Sequence, residues 1–390
     1  GIAGAANFNL NMGAGKKEEA EKYAGTAITL MAVLGVVLCV TVRFFLDPLM
    51  RVFGATSDIL DYSLTYTGIT SLGFPFLILA TGGSSLIRAD GSPRFSMFCT
   101  LAGAVINTIL DPLFIFGFDM GMAGAAWATV IGQVVSGFMV IGYLTRFKTV
   151  KLTWKSLGLR PGYCLQVVAL GMSPFCNQLA MMVVQIVLNN SLTYYGGLSD
   201  YGSEIPLACA GIISKVGMIY FAVVIGIAQG LQPIVSFNYG AKKYDRVKET
   251  VKKASMASLI ISLAAFVVFQ LFPRQIISIF GSGSEEYFLF AERYFHIYMF
   301  FTFLNWLQCI ASNFFTSIGK AIRGVFLSLT RQIIFLLPLI LLLPLVMGID
   351  GIMYAAPAAD LIAAILAAVF LKKEFGLMDR ESGKEVFAGK

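Results

Sequence analysis

The sequence predicts an all-α membrane protein made of two pseudo-symmetric lobes, and three observations support this fold class. Hydrophobic residues make up 57% of the 390-residue chain, whereas Asp, Glu, Lys and Arg make up only 13%, about half of their usual share in soluble domains. The hydrophobic residues fall in continuous runs that are long enough to cross a bilayer as helices. The third observation is an internal repeat.

The hydrophobic runs predict ten complete membrane spans and one partial span. Residues 1–12 have the pattern of the end of a helix, which gives the partial span. The complete spans are predicted at residues 24–46, 62–87, 95–118, 122–145, 163–189, 205–236, 250–272, 290–318, 324–347 and 351–371.

The basic residues predict how the spans are oriented. When the connections are taken alternately, starting from 13–23, one set together with the adjoining Arg331 carries all but five of the 29 Lys and Arg residues. The exceptions are Arg43, Arg51, Arg274, Arg293 and Lys215. By the positive-inside rule, the basic set, which includes the C-terminal tail, is expected to be cytoplasmic. This arrangement accounts for the net charge of +7 without a nucleic-acid-binding surface.

A repeat relates the two halves of the chain at an offset of about 226 residues: Gly1–Ala3 matches Gly226–Ala228, and Gly13–Lys17 matches Tyr239–Lys243. We therefore predict an N-lobe at residues 1–145, a cytoplasmic linker at 146–162, a C-lobe at 163–372 and a cytoplasmic tail at 373–390. The linker is expected to anchor in the lipid headgroups. The repeat also leads us to expect that roughly 60–65 residues, carrying the first span and part of the second, precede Gly1 in the complete protein.

Asp111 lies inside the predicted span 95–118, where a charged side chain is costly and usually functional. Asn107 is one turn earlier on the same helix face, and Pro112 leaves the carbonyl of Thr108 without its helical hydrogen bond. Thr129, in the next span, adds a hydroxyl. These oxygens suit a Na⁺ site or, through the carboxylate, a proton site. The alternative is a polar clamp between helices, with Pro112 only kinking the span.

Several other residues inside the spans are candidates for a substrate cavity. Lys215 and Asp360 either line such a cavity or pair with each other as a structural bridge, and Arg331 is expected to extend to the cytoplasmic interface. Methionines in the spans form either a soft binding wall or ordinary packing. The candidate set is Gln133, Gln185, Lys215, Asp360, Met181 and Met182.

The sequence disfavours catalytic and cofactor-binding functions. It contains one histidine and six cysteines without Cys-x-x-Cys spacing, so we expect no metal centre of these ligands. It has no phosphate-binding glycine-rich loop followed by Lys-Ser or Lys-Thr, no His-Glu-x-x-His motif and no plausible nucleophile triad. We therefore expect neither an enzyme nor a cofactor beyond a coupling ion.

The ordered set of motifs resembles the multidrug and toxic compound extrusion (MATE) transporters over nearly the whole chain. The resemblance rests on Arg88–Arg94, Asn107–Leu113, Gly121–Ala126 followed by Thr129, Gln229–Pro233 and Asn238–Ala241. It implies twelve spans in two six-helix lobes and cation-coupled export. The DinF-like branch, with its MepA-type members, is the more similar one, because the seventh span, with Met181–Gln185, lacks the Glu of the NorM-like pattern.

The resemblance also implies roles for particular residues. The Asn-x-x-x-Asp of the DinF-like cation site falls on Asn107 and Asp111, and its threonine falls on Thr129. That site also uses an Asp of the first span, which this sequence does not contain.

We therefore expect a secondary active multidrug exporter that exchanges Na⁺ or H⁺ for small organic cations by alternating access. The alternative is an exporter or flippase of a lipid-linked sugar or another envelope precursor, which a cavity richer in Arg and Lys would favour. A membrane-embedded enzyme or receptor is disfavoured by the missing catalytic groups. The expected location is the bacterial plasma membrane, as a monomer with a cytoplasmic C-terminus.

Overall fold

The computed structural model describes the backbone of residues 1–53 and 55–388, and side chains as far as residue 382. Within this part of the chain every regular element is helical and no strand occurs, as the fold class predicted. The chain divides into two compact units, residues 1–168 and residues 169–390.

The first unit contains seven helices and the start of an eighth. A short 3₁₀ turn at Ser71–Gly73 joins the fourth helix to the fifth, and a π-helical segment at Leu113–Gly117 follows the sixth. The helices are α1 (Ile2–Gly13), α2 (Lys17–Phe44), α3 (Leu46–Val52), α4 (Ser57–Thr70), α5 (Phe74–Ala89), α6 (Pro93–Pro112), α7 (Gly121–Leu144) and α8 (Pro161–Gly197), which continues into the second unit.

The second unit repeats this plan with more interruptions. It has a 3₁₀ turn at Thr302–Leu304 and a π-helical segment at Thr330–Leu336. Its helices are α9 (Glu204–Gly240), α10 (Tyr244–Leu271), α11 (Pro273–Phe280), α12 (Glu285–Tyr298), α13 (Asn305–Ser317), α14 (Ala321–Leu329), α15 (Leu337–Leu342), α16 (Pro344–Met347) and α17 (Ile349–Ala388).

The structure confirms the internal repeat, because elements and backbone turns recur at a nearly constant offset. Helix α10 begins 227 residues after α2, and α12 begins 228 residues after α4. Left-handed backbone conformations also recur: Gly91 and Gly319 both have φ of 81°, and Gly121 and Gly348 have φ of 55° and 62°. The two halves therefore share one chain path.

Nine of the described helical stretches are long and apolar enough to span a membrane. They correspond to nine of the ten predicted complete spans. The exception is the predicted span 290–318, which is divided between α12 and α13 by a break at residues 299–304. The break is stabilised from outside the span, since the hydroxyl of Tyr220 donates to the carbonyl of Thr302 at 2.9 Å. The N-terminal partial span forms the 12-residue helix α1.

The segment 146–162, predicted to be an interlobe linker, is hydrogen-bonded to the first unit. The buried carboxylate of Asp90 accepts from the backbone N–H groups of Lys148 and Thr149 at 2.8 and 2.9 Å, and from the hydroxyl of Tyr143 at 2.8 Å. Further along, Thr26 of α2 donates to the carbonyl of Gly158. These bonds attach the segment to the compact first unit, which extends to residue 168.

The predicted C-terminal tail is a direct continuation of the last span, because α17 remains helical to residue 388. The buried carboxylate of Glu374 is paired with Lys320 and Arg323, which lie between α13 and α14 and in α14. This contact holds the first turns of the continuation against the second unit. Residues 389 and 390 of the predicted tail lie outside the described residues.

Candidate functional site

Asp111 lies in the last turn of α6, where the regular helix ends. Pro112 follows it, and the chain then passes into the π-helical segment Leu113–Gly117. Such segments concentrate at functional sites because they change the direction of side chains and leave backbone groups unpaired. The side chain of Asp111 is half-buried, and within the described part of the chain it makes no hydrogen bond or ion pair.

The structure brings Asn107 and Thr129 together across α6 and α7. The side-chain amide of Asn107 donates to the hydroxyl of Thr129 at 3.3 Å, and this hydroxyl donates to the carbonyl of Ala125 at 3.0 Å. The amide oxygen of Asn107 and one lone pair of the Thr129 hydroxyl remain available. Asp111, four residues after Asn107, lies on the same face of α6.

Two glycines allow this close approach of α6 and α7. A Cβ atom at Gly132 would lie 2.7 Å from the carbonyl oxygen of Gly103 and 3.2 Å from the Cβ of Asn107. One turn further, Ser136 donates to the carbonyl of Cys99 at 2.7 Å. Small residues and interhelical hydrogen bonds are the usual means of packing helices in membranes. They fix the position of Asn107 relative to Thr129.

Gln133 lies one turn after Thr129 on α7. Its amide oxygen is buried and has no hydrogen-bond partner among the described residues, and the side chain packs against Gly73. The site therefore contains the carboxylate of Asp111 and the neutral oxygens of Asn107 and Thr129, whereas the amide oxygen of Gln133 lies against Gly73. Because no group of three or more His, Cys, Asp or Glu side chains able to hold a metal ion occurs in the described residues, a multidentate acidic cage for a divalent ion is not present there. One negative charge among neutral oxygens suits a monovalent cation or a proton.

The candidates on α8 lie on one exposed face of that helix. Met181 and Met182 are 41% and 49% exposed, and Gln185 is exposed one turn further along. The amide of Gln185 donates to the side-chain oxygen of Asn189 at 2.9 Å. The face combines apolar sulfur-containing side chains with a few amides, which is the composition of many small-molecule surfaces.

In the second unit, Asp360 is paired with Arg331 and not with Lys215. The Nε of Arg331 lies 2.5 Å from the carboxylate of Asp360, and their side chains are only 12% and 2% exposed. The predicted alternative of a bridge between Lys215 and Asp360 is therefore wrong, and Lys215 is exposed on α9. The prediction that Arg331 extends to the interface is also wrong, because a buried carboxylate is available to it inside the unit.

Sequence reasoning missed the polar surroundings of this ion pair. Asn305, at the start of α13, lies beside Asp360, and the guanidinium of Arg331 lies 6.0 Å from the ring centroid of Phe221. The amide oxygen of Asn305 and the indole N–H of Trp306 are buried and have no partner among the described residues. No local sequence pattern indicated this pair, because it forms only in the register that the two helices adopt in the fold.

Comparisons with known proteins agree with the resemblance. The MatE family model matches residues 9–113 and 178–342. The multidrug export protein MepA of Staphylococcus haemolyticus is 25% identical over 369 residues, which cover 94% of this chain and 79% of that protein. MepA of Staphylococcus saprophyticus is 26% identical with the same coverage.

Solved structures show the same fold. A MATE transporter in a bent conformation superposes with a TM-score of 0.89 at 20% identity, covering 98% of this chain and 84% of that one. An outward-facing multidrug resistance transporter of the same family also gives a TM-score of 0.89 at 20% identity, covering 97% and 83%. Together with the family match, which covers more than half of the residues, these findings show that the chain is a multi-pass membrane transporter, not an enzyme, and that it belongs to the MATE family.

Proposed function

We propose that this protein exports small organic cations in exchange for Na⁺ or H⁺ by alternating access, with Asp111 as the coupling carboxylate. The proposal rests on the environment of Asp111. It is half-buried at the end of a membrane-spanning helix, beside the Asn107–Thr129 hydrogen bond, and no cationic side chain of the described residues pairs with it. Such a carboxylate is costly in a membrane unless it binds a cation or a proton.

The position of Asp111 along α6 fits this role. Arg94 marks the predicted cytoplasmic end of the helix, and Asp111 follows 17 residues later, about 26 Å along the axis. In a hydrocarbon core of about 30 Å with the predicted orientation, we expect Asp111 to lie toward the outer boundary of the membrane. A site at that depth is suited to receive the coupling cation from outside, which is the direction of entry that antiport requires.

The neutral oxygens favour a site that accepts either cation. Na⁺ would be held by the carboxylate together with the oxygens of Asn107 and Thr129, whereas a proton would need the carboxylate alone. The expected substrate class follows the names of the relatives, which are multidrug export proteins. The exposed Met181, Met182 and Gln185 face of α8 supports a surface for apolar organic molecules.

The cavity candidates of the second unit favour cationic substrates over anionic lipid-linked precursors. The charge of Arg331 is compensated by Asp360, so Lys215 is the one exposed basic side chain deep in a span of that unit within the described residues. Gln133 would contribute a neutral acceptor. The proposed location is the plasma membrane, with the protein acting as a monomer and with a cytoplasmic C-terminus.

The test is efflux of the fluorescent cation ethidium from cells that make the full-length protein. We expect Asp111→Asn to reduce efflux to the level of cells without the transporter, since an amide carries no negative charge to attract a cation and neither binds nor releases a proton in this pH range. Asp119→Asn is the matched control: Asp119 is exposed eight residues later at φ of 52°, which Asn tolerates, and efflux should be unchanged. Normal efflux by Asp111→Asn at equal membrane abundance would leave Asp111 as a helix clamp.

A further inference from the structure

The charged residues of α17 beyond Leu371 differ in the partners that they have. Each acidic residue of 372–381 has a partner in the second unit: Glu374 pairs with Lys320 and Arg323, Asp379 pairs with Lys248, and Glu381 accepts from the hydroxyl of Tyr244 at 2.8 Å. None of these carboxylates forms an ion pair with a basic residue of the same helix among the described side chains.

The basic residues Lys372, Lys373 and Arg380 lie on one face of the helix, the face of Gly376. All three are exposed, and none has an ion-pair partner among the residues whose side chains are described. They converge on a groove of about 590 Å³, which is also lined by Val369, Gly376 and Leu377. Arg380 reaches the groove because helical side chains point back toward the N-terminus of their helix.

Gly376 forms the floor of this groove. It is exposed in the middle of a helix, where glycine costs about 1 kcal/mol relative to alanine, and no atom lies within 4 Å of the place where its Cβ would be. The helix therefore carries an unfavourable residue at a position where no packing contact requires it. Because glycine has no side chain, space remains open between the three basic residues.

The groove lies where α17 leaves the hydrocarbon core. The helix has 40 residues and is therefore about 60 Å long, whereas the core is about 30 Å thick. Lys372 and Lys373 are the first charged residues after Asp360, so they mark the interface. Val369, 54% exposed, extends the groove toward the apolar part of the helix.

We propose that this groove binds the headgroup of an anionic phospholipid of the cytoplasmic leaflet. The headgroup phosphate would be bound by Lys372, Lys373 and Arg380 above Gly376, and an acyl chain would lie along Val369. Three cations at headgroup depth without an ion-pair partner among the described side chains are complementary to an anionic leaflet, and the continuity with an apolar surface distinguishes a lipid from a soluble anion. The proposal rests on the cytoplasmic orientation of the C-terminus proposed above.

The test is binding of fluorescent phosphatidylglycerol to the purified full-length protein in an uncharged detergent. Two variants alter the groove: Lys372→Gln/Lys373→Gln/Arg380→Gln removes its charges, and Gly376→Leu fills it while keeping every charge. The matched control, Lys17→Gln/Lys155→Gln/Lys252→Gln, removes three exposed cations from the same predicted side of the membrane. Thermal unfolding of each variant checks that it is folded.

We expect both groove variants to weaken phosphatidylglycerol binding by about tenfold or more, and the control to change it by less than about twofold. If the triple groove variant does not fold, Gly376→Leu decides alone, because leucine favours a helix. An equal loss in the control would overturn the proposal by showing attraction to net charge only. Equal binding of phosphatidylglycerol and phosphatidylcholine to the unaltered protein would also overturn the proposal, because the groove would then show no preference for an anionic headgroup.

Competition separates the possible sources of the phosphate. Unlabelled phosphatidylglycerol should displace the probe, whereas inorganic phosphate and glycerol phosphate at the same concentration should not. Displacement by the soluble anions would contradict a lipid site. Since these measurements do not involve transport, their failure leaves the proposed antiport intact, and a failure of the Asp111 test leaves the lipid site intact.

Discussion

The two lobes differ in whether a carboxylate inside a span has an ionic partner. In the N-lobe, Asp111 is half-buried and has no ionic partner among the described residues, whereas in the C-lobe Asp360 is 2% exposed and is paired with Arg331. The two are not equivalent positions of the repeat, since Asp360 corresponds to Gln133. In the C-lobe, Arg331 neutralises the carboxylate of Asp360. In the N-lobe, the carboxylate of Asp111 is available to a cation from solution.

The same contrast appears in the neutral polar groups around each acid. Near Asp111, the oxygens of Asn107 and Thr129 point to a cation-binding role. Near Asp360, the guanidinium already supplies the positive charge, and Asn305 completes the surroundings. We therefore interpret the N-lobe as the coupling lobe, and the ion pair of the C-lobe as a structural link between the π-helical segment Thr330–Leu336 and α17.

The largest effect on stability is expected from Asp360→Asn, which leaves the charge of Arg331 buried without a partner. Removing one member of a buried pair costs about 3–5 kcal/mol, so the thermal midpoint in detergent should fall sharply. Asp350→Asn on the same helix breaks the more exposed pair with Arg293 and should cost less than about 1 kcal/mol. Arg331→Gln/Asp360→Asn should recover most of the loss. A double variant as unstable as the single one would contradict the structural role of the pair.

A smaller effect is expected from Gly132→Ala, which forces α6 and α7 apart at the N-lobe site. The new Cβ would lie 2.7 Å from the carbonyl oxygen of Gly103, and overpacking of this kind costs about 1–3 kcal/mol. Because the Asn107–Thr129 bond depends on this approach, dye efflux should fall as well. Gly142→Ala on the same helix meets no atom within 4 Å and should be neutral or slightly stabilising. Equal behaviour of the two variants would show that the glycine contact does not position the site.

The smallest effect is expected from Asn107→Ala, which removes one neutral oxygen and one hydrogen bond of 3.3 Å. Such a bond contributes about 0.5–1.5 kcal/mol to stability, so folding should change little while the cation concentration for half-maximal efflux rises several-fold. Thr108→Val is the control, since the exposed hydroxyl of Thr108 bonds only to the carbonyl of Ala104. A loss as complete as that of Asp111→Asn would show that Asn107 is as important as the carboxylate.

The sequence predicted those features that follow from local pattern. Continuous apolar runs predicted the helices, and the repeat predicted their order in both halves. The proximity of Asn107 and Thr129 was predictable because the two residues lie on consecutive spans at similar depth. The attachment of the segment 146–162 to the first unit was less predictable, because the bonds of Asp90 to residues 148 and 149 link segments that are distant in sequence.

What could not be predicted depends on contacts between distant segments. The break at residues 299–304 is hidden because phenylalanines keep the run apolar, while the bond from Tyr220 that stabilises it comes from α9. Arg331 appeared free to reach the interface because pairing with Asp360 requires the register of two helices. The continuation of α17 likewise depends on Glu374, whose partners lie more than fifty residues earlier.

The central claim is that Asp111 couples the cation gradient to transport, and the most direct test is gradient-driven accumulation of a dye in liposomes. With equal dye on both sides and an imposed Na⁺ or H⁺ gradient, vesicles containing the unaltered protein should accumulate ethidium. Vesicles containing Asp111→Asn, at the same thermal midpoint and protein density, should hold the dye at equal concentrations on both sides. Accumulation by Asp111→Asn equal to that of the unaltered protein would contradict the account, because a neutral amide would then couple as well as a carboxylate.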